Sequence, residues 1–125
     1  METQERERSS ENLCNFKYLS ETMGGKKHLI KGIIDAFVTQ LHDELKSIND
    51  AIDKKDYATI KSIAHTLKSS VSILGIVALA PVLQEIERLS AAAKDIDKIK
   101  GLNFKLNLIC KKVFEEIERE IPNYS

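Results

Sequence analysis

From Leu13 onward the apolar residues of this chain recur with the period of an α-helix, and this spacing constrains the fold more than any other feature. No stretch alternates convincingly between apolar and polar residues, as a half-buried β-strand would. The longest apolar stripe crosses about six helical turns and consists of Ile30, Ile33, Ile34, Phe37, Leu41, Leu45, Ile48 and Ile52. The sequence therefore predicts an all-α protein.

Turn residues divide the helical pattern into five segments. Gly24 and Gly25 end a short first helix, and a long second helix is predicted over about residues 27–53. Asp56 is a suitable N-cap for a third helix, because its carboxylate can accept from the free backbone N–H groups of the first turn. Gly75 is expected to end that third helix and is assigned a structural role.

Two prolines and an aspartate bound the last two helices. Pro81 lies early enough to belong to the first turn of the fourth helix. Asp97 is the expected N-cap of the fifth helix, which Pro122 ends. Because the connections are short, neighbouring helices should be antiparallel, which predicts an up-and-down four-helix bundle with a short extra N-terminal helix. The bundle is predicted over residues 11–121, after a flexible tail over residues 1–10.

Charge and cysteine content narrow the classes of function. The 125 residues carry 19 basic and 19 acidic side chains, so no net charge attracts nucleic acid or a membrane, and neither is an expected partner. Cys14 and Cys110 match no metal or redox spacing and are expected to be reduced packing residues of a cytoplasmic protein. The charged N-terminal residues do not resemble a signal peptide, and the longest apolar run is too short to span a bilayer.

His65, on the predicted third helix, points away from the predicted core. At about 100° per residue, with Ile60 at zero, the apolar residues of this helix fall within about 60° of that direction. On the same wheel His65 lies at about 140° and Lys68 at about 80°. The neighbouring residues are small, which leaves room for another macromolecule to approach an exposed imidazole.

Glu87, on the predicted fourth helix, is expected at nearly the same height as His65. If that helix returns antiparallel from a turn at Gly75, Glu87 lies about 18 Å and His65 about 15 Å along the bundle axis. A carboxylate there can accept from one ring nitrogen and leave the other as the nucleophile. An ordinary exposed carboxylate that pairs with its neighbours would have the same sequence signature.

This arrangement resembles the histidine-containing phosphotransfer (HPt) domain of multistep two-component signalling. The matching pattern places a leucine, a lysine and small residues directly after the histidine and a glycine ten residues after it. In this chain the pattern is His65-Thr66-Leu67-Lys68-Ser69-Ser70 and Gly75, followed by Leu79 and the Ile86-Glu87 pair. The similarity extends over about residues 14–119.

The resemblance implies roles for four polar residues of the pattern. His65 would accept and donate a phosphoryl group, Lys68 would offset the charge of that group, and Glu87 would orient the imidazole. Ser69 stands where the family more often has glycine, and its small size would permit a partner to dock. Lys61, Ser69 and Ser72 are expected to line the docking face.

The resemblance also implies partners. These are the receiver domain of a response regulator, a sensor kinase, often of the hybrid type, or both. Since the receiver would bring the magnesium and most catalytic groups, this chain needs only to present a nucleophile and no cofactor of its own. The sequence has no phosphate-binding loop of the GxxxxGK[ST] type. It is therefore predicted to be a monomeric phosphocarrier and not an independent enzyme.

Two other functions are compatible with a helical bundle. A metal-carboxylate bundle would need inward Glu-x-x-His pairs, but none of the three histidines has a glutamate three residues earlier. A non-catalytic module would bind a kinase or receiver without carrying phosphate, and it would be expected to have lost the histidine or its lysine. The chain retains both. His28 and His42 are expected to be ordinary surface histidines.

Overall fold

The computed structural model describes residues 12–124, which form an all-α fold. The helices are α1 (Phe16–Thr22), α2 (Lys27–Asp53), α3 (Tyr57–Ser72), α4 (Ala80–Ala91) and α5 (Ile96–Glu120), with 3₁₀ turns at Val77–Leu79 and Ile121–Tyr124. No strand occurs within this described range. The all-α prediction is confirmed, and the predicted tail over residues 1–10 lies outside the described residues.

The four long helices pack around one core. Helix α3 packs against α2 and α4, and α5 packs against α4 and α2. Within residues 12–124 the α-carbons of α3 and α5 nowhere approach within 8 Å, so these two helices lie diagonally across the bundle. Helix α1 packs on α2 as the predicted additional element.

The core is made of the predicted apolar stripes, and burying each large aliphatic side chain contributes about 1.5–3 kcal/mol. Ile63 and Ile109, which the stripes place inward, are only partly buried. Cys14 and Cys110 are buried free thiols, and burial raises the pKa of both. Among the fully buried side chains are Ile34, Leu41, Ile48, Ile60, Leu67, Leu83, Ile86 and Leu106.

Two of the predicted helix starts are observed. The Asp56 carboxylate accepts from the backbone N–H of Thr59 at 3.3 Å and from its hydroxyl at 2.7 Å, which satisfies a free donor of the first turn of α3. Pro81 lies in the first turn of α4, where the missing N–H of proline costs no helical hydrogen bond. Helix α2 spans the predicted range.

The predicted N-cap at Asp97 is wrong. Helix α5 begins at Ile96, and Asp95 precedes it with φ 57° and without a side-chain capping hydrogen bond. The tight turn from α4 also holds Ala93 in the left-handed region, and this geometry starts the helix before Asp97 is reached. Asp97 instead lies in the first turn, where its negative charge is favoured by the helix dipole.

A buried carboxylate joins the N-terminal segment to the last helix. Oε1 of Glu116, on α5, accepts from the backbone N–H groups of Leu13 and Cys14 at 2.8 and 3.1 Å. The N–H of the next residue, Asn15, donates to the Leu74 carbonyl in the α3–α4 turn at 2.6 Å. The side chain of Asn15 caps α1. These contacts, which we call the Glu116 latch, hold α1 against the bundle.

Candidate functional site

Helix α3 presents His65 to solvent. The His65 side chain is 69% exposed. Its helix neighbours Ala64 and Leu67 are fully buried and attach this part of α3 to the core. The outward direction predicted from the helical wheel is therefore confirmed, and the imidazole is accessible to a second macromolecule.

Helix α4 places Glu87 beside the imidazole. His65 Nδ1 lies 3.0 Å from Glu87 Oε2. Contacts with Lys68, and then with His65, hold the pKa of the Glu87 carboxyl below its ordinary value. An ionised carboxylate can only accept hydrogen bonds, so Nδ1 is the donor in this contact. In the neutral ring the free lone pair is then on Nε2, the nitrogen that Glu87 does not engage.

Lys68 is held at the same site by two groups of α4. Its Nζ lies 2.8 Å from Glu87 Oε1 and donates to Gln84 Oε1 at 2.7 Å. The two oxygens of Glu87 therefore connect the imidazole to the ammonium group. This network fixes a positive charge one helical turn from His65, on the same flank of α3.

Gln84 is a site residue that the sequence analysis missed. It precedes Glu87 by three residues on α4, so the two side chains share one face of that helix. The spacing was available in the sequence. An uncharged amide at an exposed helical position gives no chemical signal until its partner, here Lys68, is known.

The residues predicted to form the docking face all lie exposed on α3. Lys61, His65 and Glu87 line a shallow depression. The other walls of this depression are Ala58, Ser62 and Thr66. The Ser72 hydroxyl donates to the Ser69 carbonyl at 2.6 Å, so that hydroxyl is engaged by its own helix. The three residues thus share a helix with His65, but only Lys61 lines the depression that contains it.

A second, mostly apolar groove lies on the other side of Lys68. Its walls include Tyr18 of α1, Ser72 of α3 and Val77 of the 3₁₀ turn. Tyr18 is 50% exposed and Val77 79% exposed. Gly75 also borders this groove, with φ 61°, which is the left-handed conformation its predicted structural role requires. Neither Tyr18 nor Val77 was predicted to have a role.

The alternative of a metal-binding bundle depends on whether ligating side chains lie close together. Within residues 12–124, no group of three or more His, Cys, Asp or Glu side chains is placed to hold a metal ion. His42 stacks on Phe114 of α5 with ring centroids 3.9 Å apart.

Within residues 12–124, no helix is both long and apolar enough to cross a membrane.

Acid should weaken the contact between α3 and α4 at this site. The folded state lowers the pKa of Glu87, so ionised Glu87 stabilises the fold at pH values above 4.5, the ordinary pKa of this carboxyl. This contribution is lost as the pH falls through the lowered pKa. Urea unfolding between pH 7 and pH 3 should therefore show a larger loss of stability for the wild type than for Glu87→Gln, which cannot titrate. Equal losses would contradict a stabilising ionised Glu87.

The fold and the site define a class of protein, a small helical bundle that presents a solvent-facing histidine supported by a carboxylate of the next helix. A family model described as Hpt domain matches residues 32–119. This range covers more than half of the chain and includes His65, Lys68 and Glu87. The chain belongs to the Hpt domain family.

One relative is the sensor histidine kinase AruS of Pseudomonas aeruginosa, which is 32% identical over 71 residues. The match covers 57% of this chain and 7% of the kinase, so the chain corresponds to a small part of that protein. No solved structure gives a significant match.

Proposed function

We propose that this chain is a phosphocarrier that accepts a phosphoryl group on Nε2 of His65 and passes it on. The observation that carries the proposal is the exposed imidazole whose Nδ1 lies 3.0 Å from Glu87, because this contact leaves the Nε2 lone pair free for attack. Membership of the Hpt family and the similarity to a sensor histidine kinase support the same role.

In the proposed step, Nε2 attacks the phosphorus of an aspartyl phosphate on a receiver domain. The P–N bond forms as the P–O bond to the aspartyl group breaks, and the aspartate carboxylate leaves with the electron pair. The ring gains positive charge during the attack and keeps its Nδ1 proton, and the Glu87 carboxylate at Nδ1 stabilises that charge. The reverse step returns the phosphoryl group to an aspartate.

The proposed partners are receiver domains and a sensor kinase, often of the hybrid type. Positioning and charge stabilisation account for most of the catalysis of phosphoryl transfer, and the receiver is proposed to bring the magnesium ion. The chain itself is proposed to act as a cytoplasmic monomer without a cofactor. Lys61, Ser69 and Ser72 are proposed to line the surface on which these partners dock.

The test is incubation of the full chain with a phosphorylated receiver domain and magnesium, or with an active hybrid kinase and ATP. Label that is labile in acid and stable in base identifies phosphohistidine and supports the proposal. Absence of label with several competent donors, each shown to phosphorylate another Hpt protein, would contradict it. That outcome would favour the non-catalytic module that binds a kinase or receiver.

Replacing Lys68 with alanine should slow phosphoryl transfer without abolishing it. The variant keeps His65 but removes the positive charge that would offset the phosphoryl oxygens, and we expect about a tenfold lower rate, or ~1.4 kcal/mol of transition-state stabilisation. The measurement is the single-turnover transfer rate from a phosphorylated receiver. Lys46→Ala, which removes an exposed lysine of α2, is the control. A wild-type rate in Lys68→Ala would remove the proposed role.

A further inference from the structure

The outward face of α5 concentrates positive charge that the neutral composition conceals. Residues 98–114 contain five lysines and no aspartate or glutamate, although the chain as a whole has equal numbers of basic and acidic side chains. Two large apolar residues of this segment, Phe104 and Leu108, are exposed among these lysines. We use the name basic face for the group formed by Lys100, Phe104, Lys105, Leu108, Lys111 and Lys112.

The basic face is directed away from the core. At about 100° per residue from the buried Leu106, Phe104 and Leu108 fall at about 160° on either side, which is the solvent side of α5. Phe104 is 68% exposed and Leu108 is 48% exposed. The four lysines flank this apolar pair at about 100–140° from Leu106. The face therefore combines projecting apolar side chains with a surrounding ring of positive charge.

The positive charge of this face is not neutralised by the fold. Within the described chain, no carboxylate oxygen lies within 4.0 Å of the ammonium groups of these four lysines. Lys98 differs, because it lies 3.5 Å from Glu85 of α4, and it is not counted in the face. Asp97 and Glu115 lie beyond the two ends of the face. An anionic ligand would therefore meet four lysines without an acidic competitor among them.

We infer that the basic face binds the surface of an anionic phospholipid membrane. Clusters of four or more lysines on an amphipathic helix attract acidic headgroups, and exposed Phe and Leu side chains insert at the boundary between headgroups and acyl chains. Phe104 and Leu108 supply the apolar anchors. The lysines supply the electrostatic attraction. Acidic side chains elsewhere on the chain do not oppose it, because charges more than about 8 Å away are largely screened at physiological salt.

The composition of the face favours lipid over other anionic partners. Centres of protein interfaces are enriched in Arg, Met and aromatic residues and depleted in Lys, whereas residues 98–114 contain five lysines and, apart from two phenylalanines, none of the enriched residues. A nucleic acid would meet Phe104 and Leu108 at the centre of the face, where polar groups that contact phosphates and base edges are needed. A second copy of the chain would place like charges against each other.

The diagonal arrangement of α3 and α5 makes membrane binding compatible with an accessible His65. A molecule that lies with α5 on the bilayer directs the outward side of α3 toward water. Membrane binding would place the proposed phosphocarrier at a membrane surface. The inference does not depend on the phosphocarrier role, because none of the residues of the basic face belongs to the histidine site.

The first experiment measures binding of the full chain to vesicles by flotation. One set of vesicles contains phosphatidylcholine alone, and the other contains phosphatidylcholine with phosphatidylglycerol. The expected result is binding only when phosphatidylglycerol is present, and weaker binding as the ionic strength rises toward about 0.15 M. No binding at low salt, or binding that salt does not weaken, would overturn the inference.

A variant series assigns the binding to this face. Lys105→Gln, Lys111→Gln and Lys112→Gln combined should lower the partition coefficient about 100-fold. Phe104→Ser should weaken binding while the salt dependence remains. The control combines Lys26→Gln, Lys27→Gln and Lys46→Gln, which removes the same charge from exposed positions elsewhere and should change binding by less than about twofold.

Several outcomes separate this inference from its alternatives. Equal losses in the two triple variants would show that total charge, not the basic face, controls binding and would overturn the inference. Retention on duplex DNA without binding to vesicles would also overturn it and would favour a nucleic-acid partner. His65→Gln should bind vesicles as the wild type does, so failure of the phosphocarrier proposal leaves this test intact. Melting curves confirm that each variant is folded.

Discussion

Replacing His65 with glutamine should abolish phosphoryl uptake while the protein remains folded. Glutamine has no nucleophilic nitrogen, so no P–N bond can form at this position. The His65 side chain is 69% exposed and glutamine is a good helix former, so the substitution removes little packing and keeps the helical propensity of α3. The measurement is label transfer from a phosphorylated receiver, combined with thermal unfolding of the same sample.

His28→Gln is the matched control for this experiment. His28 lies exposed in the first turn of α2, so its replacement makes the same chemical change on the surface but outside the site. We expect label on His28→Gln at the wild-type level. Label on His65→Gln, or loss of label in both variants, would contradict the assignment of His65 as the phosphoryl acceptor.

Replacing Gly75 with alanine should destabilise the bundle by about 1–3 kcal/mol. Gly75 has φ 61°, a conformation that residues with a side chain seldom adopt. A Cβ atom at this position would also lie 3.0 Å from the Cβ of Asn15, next to the hydrogen bond between Asn15 and Leu74. The substitution therefore strains the α3–α4 turn and displaces the segment that anchors α1. Urea unfolding measures the effect.

Replacing Gly101 with alanine should have the opposite effect on stability. Gly101 lies inside α5 with open space around the position of an added Cβ. Alanine there should stabilise the protein by up to about 1 kcal/mol, because glycine is the less favourable residue in a helix interior. If both substitutions change stability in the same direction, helix propensity or strain has been misassigned at one of the two glycines.

Much of the fold follows from short-range patterns in the sequence. The range of α2 follows from its apolar stripe and the flanking turn residues, and the start of α3 follows from Asp56. The closeness of His65 and Glu87 follows from helical rise and an antiparallel return at Gly75. These predictions succeed because each depends on the constant geometry of an α-helix.

Other features depend on partners that the sequence does not reveal. Gln84 acquires a role only through Lys68, on another helix. Glu116 lies on the flank of the apolar stripe of α5, where a solvated glutamate would have the same pattern. Its partners are backbone N–H groups near residue 13, which leave no signal in the side-chain sequence. In the same way, the sequence does not reveal that His42, expected to be an ordinary surface histidine, stacks on Phe114 of α5.

The Glu116 latch has a consequence for the order of folding. The hydrogen bond from Leu13 to Glu116 spans 103 residues, so it closes a long loop, whereas long helices that follow one another in the chain are joined by short connections. Local helix pairs are expected to form early, and α1 can dock fully only once α5 is in place. During synthesis on the ribosome, α3 and α4 emerge before residue 116. A nascent chain therefore carries the histidine before the hydrogen bonds of Leu13 and Cys14 to Glu116 can form.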